Sequence, residues 1–176
     1  GGVAGFSILT HNTHEEVTTW NECHAIYQQG AYESSREGYE KLYPVLKENY
    51  SFLFEYGYCL HKLQRFEESN RILMEAEKLS CDPMILNIIG KNYQSLQHYD
   101  KAERYFIRSS YRLPNRIYPY YLLAKLYAEH GYYHPDKFMK MADKVLHKKP
   151  KVHSKAIDEM RKEIEGIAQK IIYTQH

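Results

Sequence analysis

Ten histidines and three cysteines are the side chains of this 176-residue chain best suited to metal or nucleophilic chemistry. His11 and His14 are separated by two residues, and His130 and His134 by three. Neither pair has a neighbouring Cys, Asp or Glu set with the ligand spacing of a zinc site, so structural or surface histidine is the plain reading. Cys23, Cys59 and Cys81 form no CxxC pair and cannot all pair within the chain. They are expected as small buried apolar residues rather than zinc ligands or a disulfide framework. A serine nucleophile elbow, a glycine-rich phosphate loop and an HExxH pair are all absent from the sequence. The expectation is a non-catalytic chain with no metal and no cofactor.

The elements that carry these residues repeat. Gly30-Ala31-Tyr32-Glu33-Ser34-Ser35, Gln64-Arg65-Phe66-Glu67-Glu68-Ser69 and Gln97-His98-Tyr99-Asp100-Lys101-Ala102 share one pattern at spacings of 34 and 33. Each reads as a turn, an aromatic, polar or acidic residues, then a small residue. Upstream at matching distance lies another small residue, Cys23, Gly57 or Gly90, inside an apolar-periodic stretch that predicts a helix. Downstream, a large residue follows the second small one by four: Tyr39, Leu73 and Phe106. Two helices per unit, with small residues where their backbones must approach, is the physical content of the pattern.

The third unit carries it most fully, in Ile89-Gly90, Tyr93, Ala102, Phe106 and Pro114, and resembles the signature of the tetratricopeptide repeat. The resemblance implies an all-α, right-handed superhelix of about four helical hairpins. The fourth unit, with Leu123-Ala124, Tyr127, Gly131, Phe138, Ala142 and Val145, has about two extra residues in its turn at 132–135. A final helix through Ile157, Met160, Ile164, Ile167 and Ile171 has one apolar stripe, as the end of a repeat stack requires. Thr13 with Glu16, Asp82 before Pro83, and Ser154 are expected helix caps. The chain divides into a flexible arm (1–12), four units (13–49, 50–83, 84–116 and 117–150) and a capping helix (151–176).

In that family the first helix of each unit lines a concave groove. The resemblance places there Trp20, His24 and Tyr27, then Phe54, Tyr58, His61 and Lys62, then Asn87, Lys91 and Gln94, and finally Tyr121, Lys125 and Glu129. The set is aromatic and mildly basic, which suits an extended protein or peptide partner, or a glycan. Only Asn87 and Lys91 hint at the lysine and asparagine set that some such domains use on a terminal carboxylate, so that clamp is not expected. Six tyrosines crowd the fourth unit. Most read as ordinary packing residues, whereas Tyr132 and Tyr133 lie in a turn with less core to enter.

Composition agrees with a folded helical chain. Hydrophobic residues make up 43%, charged ones 26%, and 9 glycines with 6 prolines are too few for the turns of a sandwich or barrel. From His134 onward ten Lys or Arg face six Asp or Glu, a surplus of +4, while the rest carries −2. Acids are interspersed throughout, so nucleic-acid binding is not expected. No apolar run reaches the roughly 18 to 20 residues of a membrane span. Gly1-Gly2-Val3-Ala4-Gly5 lacks an initiator methionine and the basic start of a signal peptide, so a longer parent is expected.

Whole phrases carry a closer likeness. Leu42-Tyr43-Pro44-Val45-Leu46-Lys47 with Phe52-Leu53 and Tyr56-Gly57, the run from Leu113 to Tyr127, and Lys151 to Ser154 with Glu159-Met160-Arg161 resemble the carboxy-terminal region of bacterial O-antigen ligase or polymerase-like membrane proteins. The resemblance implies a soluble tail on the periplasmic side of a membrane-embedded parent, positioning a protein or glycan. The alternative is a free-standing cytoplasmic adaptor that binds peptides.

Overall fold

The computed structural model describes residues 19–174. Their regular structure is helical: α1 (residues 19–28), α2 (Tyr32–Leu46), α3 (Tyr50–Lys62), α4 (Phe66–Glu77), α5 (Pro83–Ser95), α6 (Tyr99–Arg112), α7 (Tyr118–Tyr127), α8 (Pro135–His147) and α9 (Lys155–Thr174), with a short 3-10 turn over His130–Tyr132. No strand occurs among the described residues. The expected arm and the Thr13–Glu16 capping box lie outside them. The helices fall into two compact bodies, one within residues 1–80 and one within 81–176.

Side chains start α3 and α5, the first helices of two hairpins. Asn49 accepts from the Phe52 N–H at 3.0 Å to open α3, and Asp82 accepts from the Met84 N–H at 3.0 Å to open α5, with Pro83 at the first turn. Ser154 does the same for α9, accepting from the Ile157 N–H at 3.3 Å.

Backbone bonds end them. Gly30, Gln64 and Gln97 take left-handed φ values of 83°, 62° and 62°. The following amides of Ala31, Arg65 and His98 donate to the carbonyls of Ile26, Leu60 and Tyr93 at 3.2, 2.9 and 2.8 Å. An inner bond joins each left-handed residue to the carbonyl three before it, at 2.9, 3.0 and 2.9 Å. This two-bond stop satisfies the last carbonyls of α1, α3 and α5 and reverses the chain within three residues. In the fourth hairpin the equivalent bond runs from the His134 N–H to the Tyr127 carbonyl at 2.8 Å and encloses two more residues, with the 3-10 turn over His130–Tyr132 inside the ring.

Close packing across each hairpin uses the small residues. A Cβ on Gly57 would lie 2.4 Å from Leu73 Cδ2, and one on Gly90 would lie 2.4 Å from Phe106 Cε1. Both facing side chains are fully buried. In the α1–α2 hairpin Cys23 packs on Gly38, whose Cβ would meet its Sγ. Ser69 Oγ, also buried, donates to the Gly57 carbonyl at 2.7 Å, so its hydroxyl is satisfied inside the α3–α4 contact. Cys23 and Cys59 are buried as expected, and burial pushes both thiols up. Cys81 departs from the expectation: it lies in the short link before α5 and is exposed.

In the second body α9 lays Ile164, Ala168 and Ile171 on a core with Phe106, Leu126, Phe138 and Val145, and Ile157, Met160 and Ile167 pack at its margin. Arg161 of α9 donates to the carbonyls of Val145 and Lys148 at 2.9 and 2.6 Å, closing the end of α8. The stripe read from the sequence is therefore the buried face.

Gly90→Ala should lower the thermal midpoint by an amount equivalent to about 1–3 kcal/mol, since Phe106 has no free volume to enter. Gly166→Ala should raise it, by up to about 1 kcal/mol, because nothing lies within 4 Å of a Cβ there. Thermal melts of the two variants check both signs.

Candidate functional site

Rings of α1 and α2 converge on one carboxylate of the first body. Glu55 lies on α3 between Phe54 and Tyr56, with 13% of its side chain exposed. It accepts from Trp20 Nε1 at 2.7 Å and Tyr39 Oη at 2.6 Å, and from His24 Nδ1. Charge-assisted bonds of this kind are stronger than neutral ones, and three donors leave the largely buried carboxylate well solvated by protein. Burial first, and the Glu55 bond second, push the Tyr39 phenol well above its usual range, so it stays a donor.

Around this anchor the half-buried rings form a continuous strip. His24 and Tyr27 stack at 6.0 Å, Tyr27 meets Tyr58 edge to face at 6.2 Å, and Tyr58 stacks on Phe54 at 6.4 Å with 7° between planes. His61 adjoins Tyr58 at 5.8 Å, and the exposed Lys62 ammonium lies 5.8 Å from the same ring. The structure thus brings together all seven candidate residues of this body: Trp20 and His24 on Glu55, the others in one strip. Rings that stack on one another lose little freedom when a ligand arrives, and each presents a wide apolar face.

The second body arranges its candidates as pairs. Lys91 Nζ donates to Tyr118 Oη at 3.3 Å, and Gln94 Nε2 donates to Glu129 at 3.3 Å. Tyr121 Oη donates to Glu163 of α9 at 2.7 Å, and Lys125 pairs with the same carboxylate. The Lys125 bond first, then that of Tyr121, hold the Glu163 carboxyl below its ordinary value. Tyr121 and Lys125 are therefore bound to the terminal helix rather than free. Asn87 is 4% exposed and lines a cleft instead of an open face.

A second carboxylate centre is not apparent from the sequence. Glu103 of α6 accepts from Tyr132 Oη at 2.6 Å, from Lys137 Nζ at 3.3 Å, and from Tyr127 Oη. Tyr132 also donates to Asp100 at 2.9 Å and stacks on Tyr99 at 5.6 Å. Tyr132, expected to have less core to enter, sits half-buried at the core margin, where the 3-10 turn tips its ring back between Tyr99 and Tyr127, whereas Tyr133 is 48% exposed. His134, spaced from His130 as a metal pair could be, instead bonds the Tyr132 carbonyl through Nδ1 at 2.8 Å. No group of three His, Cys, Asp or Glu among the described residues could hold a metal ion, and His11 and His14 lie outside them.

The sequence signal for such a centre is a lone acid inside an apolar stretch, which the charged surroundings of Glu103 and Glu163 do not give. Glu55, isolated in Phe52-Leu53-Phe54-Glu55-Tyr56-Gly57, shows it most clearly.

Residues 17–84 match a family model described as YpiA-like, C-terminal tetratricopeptide repeats. The thermophilic tetratricopeptide protein TTC0263 of Thermus thermophilus superposes with a TM-score of 0.67 over 90% of this chain and 84% of its own, at 17% identity. The fold is the tetratricopeptide-repeat fold. MamA from Desulfovibrio magneticus RS-1 gives a TM-score of 0.64 at 12% identity, covering 88% of this chain and 76% of that one. The Yersinia enterocolitica type III secretion chaperone SycD, in complex with a peptide of the translocator YopD, gives 0.53 at 10% identity, covering 94% and 96%. No curated protein matches in sequence. At these identities the solved tetratricopeptide structures share the fold with this chain.

Burial pushes the Glu103 carboxyl up, but the bonds from Tyr127 and Tyr132 and the Lys137 charge outweigh it and leave it below the ordinary 4.5. A carboxyl lowered on folding contributes stability that is fully present above its unfolded value and is lost as pH falls through its folded one. The stability difference between the native chain and Glu103→Gln should therefore shrink as pH drops from about 5 to about 3. Urea titrations across that range check it, and a difference independent of pH would show that the charge is not its source.

Proposed function

We propose that this tetratricopeptide chain is a non-catalytic protein-interaction module that takes an extended peptide segment of a partner on the aromatic strip of α1 and α3. The observation that carries this reading is the strip itself: Tyr27, Tyr58, Phe54, His24 and His61 are half-buried and in ring-to-ring contact, stacked or edge to face, and Glu55 holds His24 at one end. Large rings with few free torsions are the side chains that dominate peptide contacts. The SycD structure, which has the same fold, is described in complex with a peptide. A peptide selected from a random library against the native chain should bind Tyr58→Ala about 10-fold more weakly, or about 1.4 kcal/mol, with helical circular dichroism unchanged. Loss of the helical signal would instead make Tyr58 a core residue. A glycan array run on the same proteins tests the sugar alternative, since stacked rings also suit a pyranose face.

A finer reading places the module on the periplasmic side of the inner membrane, as the tail of an O-antigen ligase or polymerase-like parent. The phrases at 42–47 and 113–127 support it. No helix among the described residues is long and apolar enough to cross a membrane, so the spans would be supplied by the parent. Deleting this region from the parent gene should impair surface-glycan assembly. An unchanged glycan profile, or an upstream reading frame without hydrophobic spans, favours the cytoplasmic peptide-binding adaptor.

A further inference from the structure

The second body contains a cleft of about 290 Å³ between the first turn of α5, the end of α6 and the link from Leu113 to Ile117 that leads into α7. Asn87 lines it. This residue is only 4% exposed, yet its Oδ1 has no hydrogen-bond partner among the described residues. A buried carbonyl oxygen left without a donor costs about 1–3 kcal/mol, so such atoms in native proteins mark the place of a further donor.

The other polar groups of the cleft are already used. Asp82 accepts from the Met84 amide as the cap of α5, and Ser109 Oγ donates to the Pro83 carbonyl at 3.4 Å. At the rim Arg116 is exposed and forms no ion pair among the described residues. Beside it α7 starts at Tyr118 without a side-chain cap. A free guanidinium and an uncapped helix start both favour an anion. The apolar part of the lining is Met84 and Leu113, large hydrophobic side chains that stand exposed, with Pro83 and the buried Pro119.

An acceptor at depth, apolar walls and a cationic rim define a ligand with a backbone N–H, an apolar side chain and a carboxylate one or two residues away. We infer that this cleft is a peptide subsite for an apolar residue adjoining a carboxylate, with Asn87 Oδ1 accepting the peptide N–H and Arg116 meeting the acid. It shares no residue with the aromatic strip and stands or falls independently of it. The carboxylate has two sources, a chain terminus or an Asp or Glu side chain.

Nuclear magnetic resonance titration of the isotope-labelled chain tests this with three probes. N-acetyl-leucine carries a terminal carboxylate, N-acetyl-leucyl-glutamate amide a side-chain carboxylate, and N-acetyl-leucinamide none. Saturable shifts of the Asn87 side-chain amide and of Leu113 and Arg116 are expected at millimolar concentration with the first or second probe, which also names the source of the acid. The neutral probe, and either acid with Arg116→Gln, should bind at least about 5-fold more weakly. Arg116 is exposed, so this variant keeps the fold. Asn87→Leu should abolish the response, and a variant that fails to fold leaves the Arg116 comparison to decide. The inference is overturned by an absence of saturable shifts across residues 82–87 and 109–119 up to about 10 mM, by equal binding of the neutral probe, or by shifts confined to Tyr27 and Tyr58.

Discussion

An α-helix can stop abruptly only if its last carbonyls find donors, and the first three hairpins depend on how this one requirement is met. The bonds Ala31 to Ile26, Arg65 to Leu60 and His98 to Tyr93 do it with backbone alone. Because that geometry is rigid, it also spaces the packing residues on either side of the turn. The small residue of the first helix lies seven positions before the left-handed turn residue, as Cys23, Gly57 and Gly90, and the large residue of the second lies nine after it, as Tyr39, Leu73 and Phe106. A helix end thus sets the register in which glycine meets leucine or phenylalanine. It requires a left-handed residue, a conformation that glycine adopts freely and that costs glutamine about 1–2 kcal/mol. Gln64 and Gln97 accept that strain, and the hairpin packing holds them in place.

Tyrosine and glutamate solve a second problem together. Tyr39 with Glu55, Tyr43 with Glu75, Tyr127 and Tyr132 with Glu103, and Tyr121 with Glu163 are all phenol-to-carboxylate bonds between different elements. Each phenol packs its ring between helices and keeps its hydroxyl on an acid, so neither polar group is left without a partner there. Hydrogen bonding to Glu75, then burial, pushes Tyr43 up to about 12. The abundance of tyrosine seen in the composition is in this sense half of a pair, the other half being acids placed on neighbouring helices.

Local periodicity made much of this legible from the residues. Small-residue positions, the turns at 30, 64 and 97, the caps at Asp82 and Ser154 and the apolar stripe of α9 all follow from spacing within a single helix or turn. Partners supplied by another helix did not show. Trp20 and His24 reach Glu55 across 35 and 31 residues, and no one-dimensional pattern joins a lone acid to rings so far away. The same holds for Asn87, which shares a cleft with the link after α6, and for Tyr132, which lies in a 3-10 turn. Cys81 shows the limit of composition: a residue type that is usually buried lies in a short exposed link.

The longer bond from His134 to Tyr127 has a consequence for how such a chain can change its length. Two inserted residues are taken up as a bulge at the hairpin tip, where they turn a tyrosine inward instead of shifting the second helix along its axis. Beyond the insertion the packing order reverses, with Phe138 preceding Ala142 where Ser69 precedes Leu73, and both pairs are buried. Repeat arrays are often described by a fixed period. Here the constant feature is instead the closure of a hydrogen-bonded ring at each tip, and the ring can grow while the layer of side chains beneath it exchanges its order of large and small.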